Sequence, residues 1–175
     1  MAEGCMNMDA VQEFRVRAEI LHRHAQAGDV QALRRLKRFA GDGQRVRRRE
    51  CFAALAAELG FTSWLEAKRV LTGVPGENYG TLLYPATGSG RLNLWYRDRD
   101  EALKVRQSRN GWLLAYRHQF FVAERGFVEE LGLAPDDPRW RAIDFDWTAA
   151  RHSLERADFY ALLLSKQPKE GDGSP

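Results

Sequence analysis

Residues 113–122 read LLAYRHQFFV, an apolar run with an arginine, a histidine and a glutamine set into its middle. Rich in aromatic residues and preceded by the turn pair Asn110-Gly111, it predicts a single strand from Trp112 to Val122. Alternation then puts Leu114, Tyr116, His118, Phe120 and Val122 on one face and Leu113, Ala115, Arg117, Gln119 and Phe121 on the other. Two readings of the polar trio stay open. In the architectural one, His118 is a neutral ring within an aromatic face and Arg117 bridges to a carboxylate such as Asp144 or Asp146 in IDFDW. In the chemical one, Arg117, His118 and Gln119 bind a ligand: Arg117 clamps an anion, and His118, oriented by Asp144 or Asp146, is the candidate catalytic residue.

Before this strand, GTLLYP, the loop ATGSG and RLNLWY predict a hairpin over residues 80–96. Asp98 and Glu101 have capping-box spacing and open a helix that Asn110-Gly111 ends. A strand, a helix and a strand in close succession predict a parallel crossover added to that hairpin, hence a small mixed sheet. Beyond it, GFVEELGL is a short helix, Asp137-Pro138 starts another, and a last helix spans Ser153 to Ser165. The final KQPKEGDGSP reads as a disordered tail.

The first half has a different period. Val11, Phe14, Ala18, Leu21 and Ala25 recur at steps of three and four behind Asp9, and Gly28 ends that helix. Asp29 caps a second helix with Val30, Leu33, Leu36 and Ala40 inward. A third runs from about Gln44 to Leu59 with Phe52, Leu55, Ala56 and Leu59 inward, and Ser63 with Glu66 opens a fourth at Trp64. The expected fold is α+β: a four-helix unit over residues 9–72, a small α+β unit over 78–165, and a tail over 166–175.

The bulk numbers suit a soluble folded chain. It has 175 residues, 44% hydrophobic and 29% charged, with a mean hydropathy of -0.52. No apolar run approaches the ~18 residues that cross a membrane. No basic segment followed by an apolar one opens the chain, so the cytoplasm is the expected location. Cys5 and Cys51 are too few for a disulfide framework or a four-cysteine zinc site and are expected to be free thiols. Arginine outnumbers lysine 22 to 5, which with the many alanines points to a GC-rich bacterial source. No phosphate loop, His-Glu-x-x-His segment or Gly-x-Ser-x-Gly elbow occurs, so no cofactor or metal is implied. Trp95, Trp112, Trp140 and Trp147 are candidates either to line a ligand pocket or to pack in the core.

Charge is uneven. Residues 1–73 hold 13 Lys/Arg against 9 Asp/Glu, and residues 74–175 hold 14 against 15. Arg34, Arg35, Arg38, Arg45, Arg47, Arg48 and Arg49, with Lys37, form a basic cluster able to neutralise phosphates. CFAALAAELGFTSWLEAKRVL starts like a helix-turn-helix at Ala56, Leu59 and Gly60. Glu66 and Arg69 then stand where its second helix needs apolar residues.

The segment LAAELGFTSWLEAKRVL resembles a helical Leu-Ala-x-x-Leu-Gly-Phe-x-Ser-Trp-x-x-x-Lys stretch seen in uncharacterised bacterial proteins and beside ankyrin-type repeats. AQAGDVQALRRL is similar to the helix–turn–helix rhythm of such repeats, and the resemblance implies protein binding. LNLWYRDRDEA, GWLLAYRHQFFV and LGLAPDDPRW resemble a bacterial family of unknown function. The expected role is a small non-catalytic binding or adaptor protein for a protein partner. The alternatives are nucleic-acid binding through Arg34–Arg49, and an enzyme acting on an anionic substrate through His118 and Arg117.

Overall fold

A computed structural model describes residues 9–40, 45–84, 93–149 and 153–167. In chain order they form α1 (Ala10–Gln26), α2 (Val30–Leu36), α3 (Arg48–Glu58), α4 (Trp64–Leu71), β1 (Leu94–Tyr96), α5 (Arg99–Arg109), β2 (Trp112–Tyr116), β3 (Gln119–Ala123), α6 (Arg125–Glu130), α7 (Pro138–Ala142) and α8 (Ser153–Lys166). The fold class is α+β.

Helix starts fall where the caps predict. Asp9 accepts from the Val11 N–H at 2.9 Å, Asp29 from Ala32 at 2.7 Å, and Ser63 from Glu66 at 3.2 Å. The whole α1 stripe is buried, and Phe14 stacks on Trp64 with centroids 4.6 Å apart. Cys51 is a buried thiol outside any disulfide, donating to the Arg47 carbonyl at 3.8 Å; Cys5 lies outside the described residues. Two expectations need correction. Helix α3 begins at Arg48 rather than Gln44 and turns Cys51, Ala54, Leu55 and Ala56 inward, leaving Phe52 and Leu59 half-buried. In α2 the buried residues are Ala32 and Leu36, whereas Val30 is 69% and Leu33 41% exposed. A two-turn helix lying on α1 and α3 seats one narrow stripe, and the register puts Ala32 and Leu36 there.

The stretch LLAYRHQFFV is a hairpin, not one strand. Strand β3 folds back on β2 with Trp112 opposite Ala123, Leu114 opposite Phe121 and Tyr116 opposite Gln119. Arg117 and His118 are its two turn residues, and Arg117 takes a left-handed φ of 51°. The reversal swaps the expected faces, because paired residues of a hairpin share a side. Strand β1 also pairs antiparallel with β3, Trp95 opposite Phe121, and the order is β1-β3-β2. The sheet is therefore antiparallel, correcting the mixed one expected. The crossover itself exists: α5 joins β1 and β2, which run the same way, but β3 enters between them and takes the hydrogen bonds of both. Gly80–Tyr84, expected as an arm of another hairpin, forms bends and turns, and the ATGSG loop lies outside the described residues.

One side of the sheet carries an aromatic stack. Tyr84 packs against Trp95, Tyr116, Phe121 and Phe127 with centroid distances of 5.1 to 5.8 Å. Strand β2's outer edge is bridged by Phe145–Trp147: the Leu113 N–H donates to the Phe145 carbonyl and the Trp147 N–H to that of Leu113, both at 2.9 Å.

The helical layer and the sheet meet at residues 78–81. Asn78, 3% exposed, donates to the Gly60 carbonyl at 3.0 Å and to Glu66 at 3.2 Å, and accepts from the Gly80 N–H at 3.0 Å. Thr81 N–H reaches the Leu59 carbonyl at 2.9 Å. On the other side, Tyr79 N–H donates to the Arg117 carbonyl at 2.9 Å and Arg117 N–H to that of Gly80 at 2.8 Å. Gly80 has a φ of 70°, and a Cβ there would lie 2.5 Å from the Phe61 ring. Only glycine lets the chain run so close. Helix α8 packs on α1, α4 and α7, so one apolar cluster extends from Ala10 to Leu164. The tail from residue 168 lies outside the described residues.

Candidate functional site

The turn of the β2–β3 hairpin brings Arg117, His118 and Gln119 together on the surface, all exposed. The His118 Nδ1–H donates to the Glu77 carbonyl at 2.9 Å. The Arg117 guanidinium lies 5.7 Å from the Tyr116 ring centre, and its backbone holds the joint to Tyr79 and Gly80. Neither expected carboxylate meets them. Asp146 is buried, accepting from Arg99 at 2.5 Å and from the Thr148 hydroxyl at 2.6 Å, and Asp144 pairs with Arg106 at 3.2 Å. Both acidic residues are taken up by arginines of α5, which hold the segment around Phe145 to that helix. His118 thus leaves the aromatic face that single-strand alternation assigned to it.

The basic cluster divides. Arg35 clasps Glu58 through two hydrogen bonds of 2.8 and 2.7 Å, Arg48 pairs with Glu19 at 2.9 Å, and Arg49 lies 3.8 Å from Glu50. Arg34, Lys37, Arg38, Arg45 and Arg47 are exposed and make no ion pair among the described residues. Helices α1 and α3 run antiparallel here, which seats Arg45, Arg47 and Arg48 beside His22 and Gln26 around an open cleft of about 620 Å3. His22 is tethered there, its Nε2 3.2 Å from the Val46 carbonyl oxygen.

A second cleft, of about 480 Å3, opens where β1 begins and β3 ends. Its walls include Asn93, Leu94, Arg109, Trp112, Glu124 and Phe127. Asn110, left-handed at a φ of 50°, closes α5 beside it, and Gly111 passes so near β3 that a Cβ would sit 2.8 Å from the Ala123 carbonyl oxygen. Sequence reasoning reached only Trp112 of this set, through the tryptophan count. The others lie on or beside β1, α5 and α6, each unremarked in its own neighbourhood. Trp140 and Trp147 are wholly buried core residues.

The perturbed titrations belong to the interior, to the Asp137 helix cap, and to the exposed Arg125–Asp136 pair, whose mutual hydrogen bonds raise Arg125 and lower Asp136. Burial pushes the Tyr79 and Tyr160 hydroxyls up and the Arg156 guanidinium down. Tyr160 accepts from the Trp147 Nε1–H at 3.0 Å, and Arg156 donates to the Gly73 carbonyl at 2.8 Å. The Arg139 guanidinium holds the Asp137 carboxyl below its usual range. Among the described residues no three metal-capable side chains cluster, and no helix is long and apolar enough to cross a membrane.

No family model, curated protein or solved structure matches the chain.

Proposed function

We propose that the protein is a non-catalytic cytoplasmic binding module that takes a protein partner on the outer face of α2. The carrying observation is that α2 leaves Val30 69% and Leu33 41% exposed. They stand one helical turn apart, so they share a face, and Arg34, Lys37 and Arg38 follow them at the next turn. An apolar pair framed by cations that make no ion pair among the described residues suits an acidic partner with apolar side chains of its own. Nucleic acid is the second reading, favoured by the cleft that gathers Arg45, Arg47 and Arg48 with His22 and Gln26. Guanidinium groups spaced along a groove would displace counterions from a phosphate backbone.

Immobilised wild type and V30D/L33D, incubated with source-cell extract with and without nuclease, separate the two. Both residues are solvent-facing, so the variant keeps the wild-type circular dichroism. A protein retained after nuclease by the wild type and lost on V30D/L33D supports the first reading. Material that nuclease releases, that weakens steeply between about 50 and 200 mM salt, and that R45E/R47E abolishes while V30D/L33D does not, replaces it with the second.

A further inference from the structure

We propose that the cleft between α1 and the segment leading into α3 binds a small molecule carrying a phosphate monoester in its doubly charged form. No residue of α2 lines this cleft, so it stands or falls separately from the Val30–Leu33 face.

Two contacts fix how the segment lies on α1. Arg48 pairs with Glu19 at 2.9 Å, and one turn further along the helix the His22 Nε2–H donates to the Val46 carbonyl at 3.2 Å. The segment therefore runs against the helix, and the same register carried one more turn brings Arg45 towards Gln26. Val46 is buried, while Arg45 and Arg47 on either side of it are exposed, and Arg47 is extended at φ −105° and ψ 150°. Side chains two apart in an extended stretch share a side. The two guanidinium groups thus stand together on the outward side of this short stretch, where His22 and Gln26 form the facing wall.

Charge sets the valence of the ligand. Arg48 is taken by Glu19. Glu50 is turned to its own helix, one carboxylate oxygen accepting from the Arg47 N–H at 2.8 Å and the other lying 3.8 Å from Arg49. Arg45 and Arg47 make no ion pair among the described residues. Two uncommitted cations side by side match a dianion, and each guanidinium offers paired N–H donors to phosphate oxygens. Towards α3 the basic charge is met at once by Glu19 and Glu50, which cuts short the track that a nucleic-acid backbone would follow on that side.

A third donor completes the set. The His22 Nε2 that gives its proton to Val46 cannot also accept from the Gln26 Nε2, 3.4 Å away. The Gln26 amide is left to donate to a ligand oxygen. About 620 Å3 gives the organic group of an ester room beside the phosphate.

Calorimetric titration of the full-length protein in low salt at about pH 8, where a phosphate monoester is doubly charged, tests this with phenyl phosphate, diphenyl phosphate, inorganic phosphate and a dodecathymidylate lacking terminal phosphates. Phenyl phosphate is expected to bind saturably with a Kd at or below about 1 mM, the singly charged diester about tenfold more weakly and inorganic phosphate about threefold more weakly. R45Q and R47Q, at exposed positions, should each weaken phenyl phosphate about tenfold at unchanged circular dichroism. K37Q/R38Q removes two charges outside the lining and should change its affinity by less than about twofold. The proposal is overturned if phenyl phosphate shows no saturable binding, if the diester or inorganic phosphate binds as well, or if R45Q and R47Q bind like the wild type. It is equally overturned if dodecathymidylate binds more tightly than phenyl phosphate, which makes the cleft a nucleic-acid groove, or if K37Q/R38Q weakens binding as much as R45Q, which makes the effect one of general surface charge.

Discussion

Arg117 is the residue on which the sheet turns, and its backbone matters more than its charge. It carries a φ of 51° without being glycine or asparagine, a conformation that costs an L side chain roughly 1–2 kcal/mol. Two hydrogen bonds to Tyr79 and Gly80 hold it there. Glycine at this position relieves the strain, at an added cost of roughly 0.5–1 kcal/mol in unfolded-chain entropy. A β-branched side chain makes the strain worse. Arg117→Gly should therefore be at least as stable as the wild type, and Arg117→Val less stable than Arg117→Gly by about 2 kcal/mol in urea unfolding. Equal midpoints for the two variants would show that the turn does not hold this backbone. His118→Ala removes one exposed hydrogen bond to Glu77 and should shift the midpoint by no more than about 0.5 kcal/mol.

Elements were legible in the sequence where a side chain states its own role locally. Asp9, Asp29, Ser63, Asp98 and Asp137 each accept from a backbone N–H two or three residues ahead, as their spacing foretells. What was not legible is set by partners distant in the chain. Strand β3 enters between β1 and β2 because of cross-strand pairing, and LLAYRHQFFV looks like one strand because both hairpin arms are apolar. Two polar residues suffice for the turn when the docked 78–81 segment supplies the remaining bonds. The cleft residues were invisible for the same reason. Asp137 shows how far a local device reaches. It caps α7 by accepting from the Arg139 N–H at 2.9 Å, and the Arg139 side chain lowers its pKa. A depressed folded pKa means that the stabilisation is complete above the ordinary carboxylate value, about pH 4, and fades as pH falls through the folded value. Asp137→Ala should thus cost about 1 kcal/mol at pH 7, measured by urea denaturation. The gap to the wild type should hold to about pH 5 and narrow below about pH 4; a gap that widens in acid would contradict the linkage.

At the scale of the whole molecule, the front helices and the sheet are expected to unfold together, because their core is shared and their joint is buried. Helix α8 closes over α1 and α4 while Phe159 packs on Trp140 with centroids 4.4 Å apart, so neither half keeps its apolar face covered without the other. Asn78 is where the coupling can be cut at one atom group. Asn78→Ala leaves the Gly80 N–H and the Gly60 carbonyl without the amide that joins them. The buried Gly80 N–H so orphaned costs roughly 1–3 kcal/mol and the half-buried Gly60 carbonyl less, so about 2–4 kcal/mol in total is expected. Native-state hydrogen exchange reads where that loss falls. If one cooperative unit spans the chain, the slowest amides of α3, such as Leu55, and of β3, such as Phe121, lose protection by the same factor. Should Leu55 keep its wild-type protection while Phe121 loses it, or the reverse, the halves open independently and the joint merely tethers them.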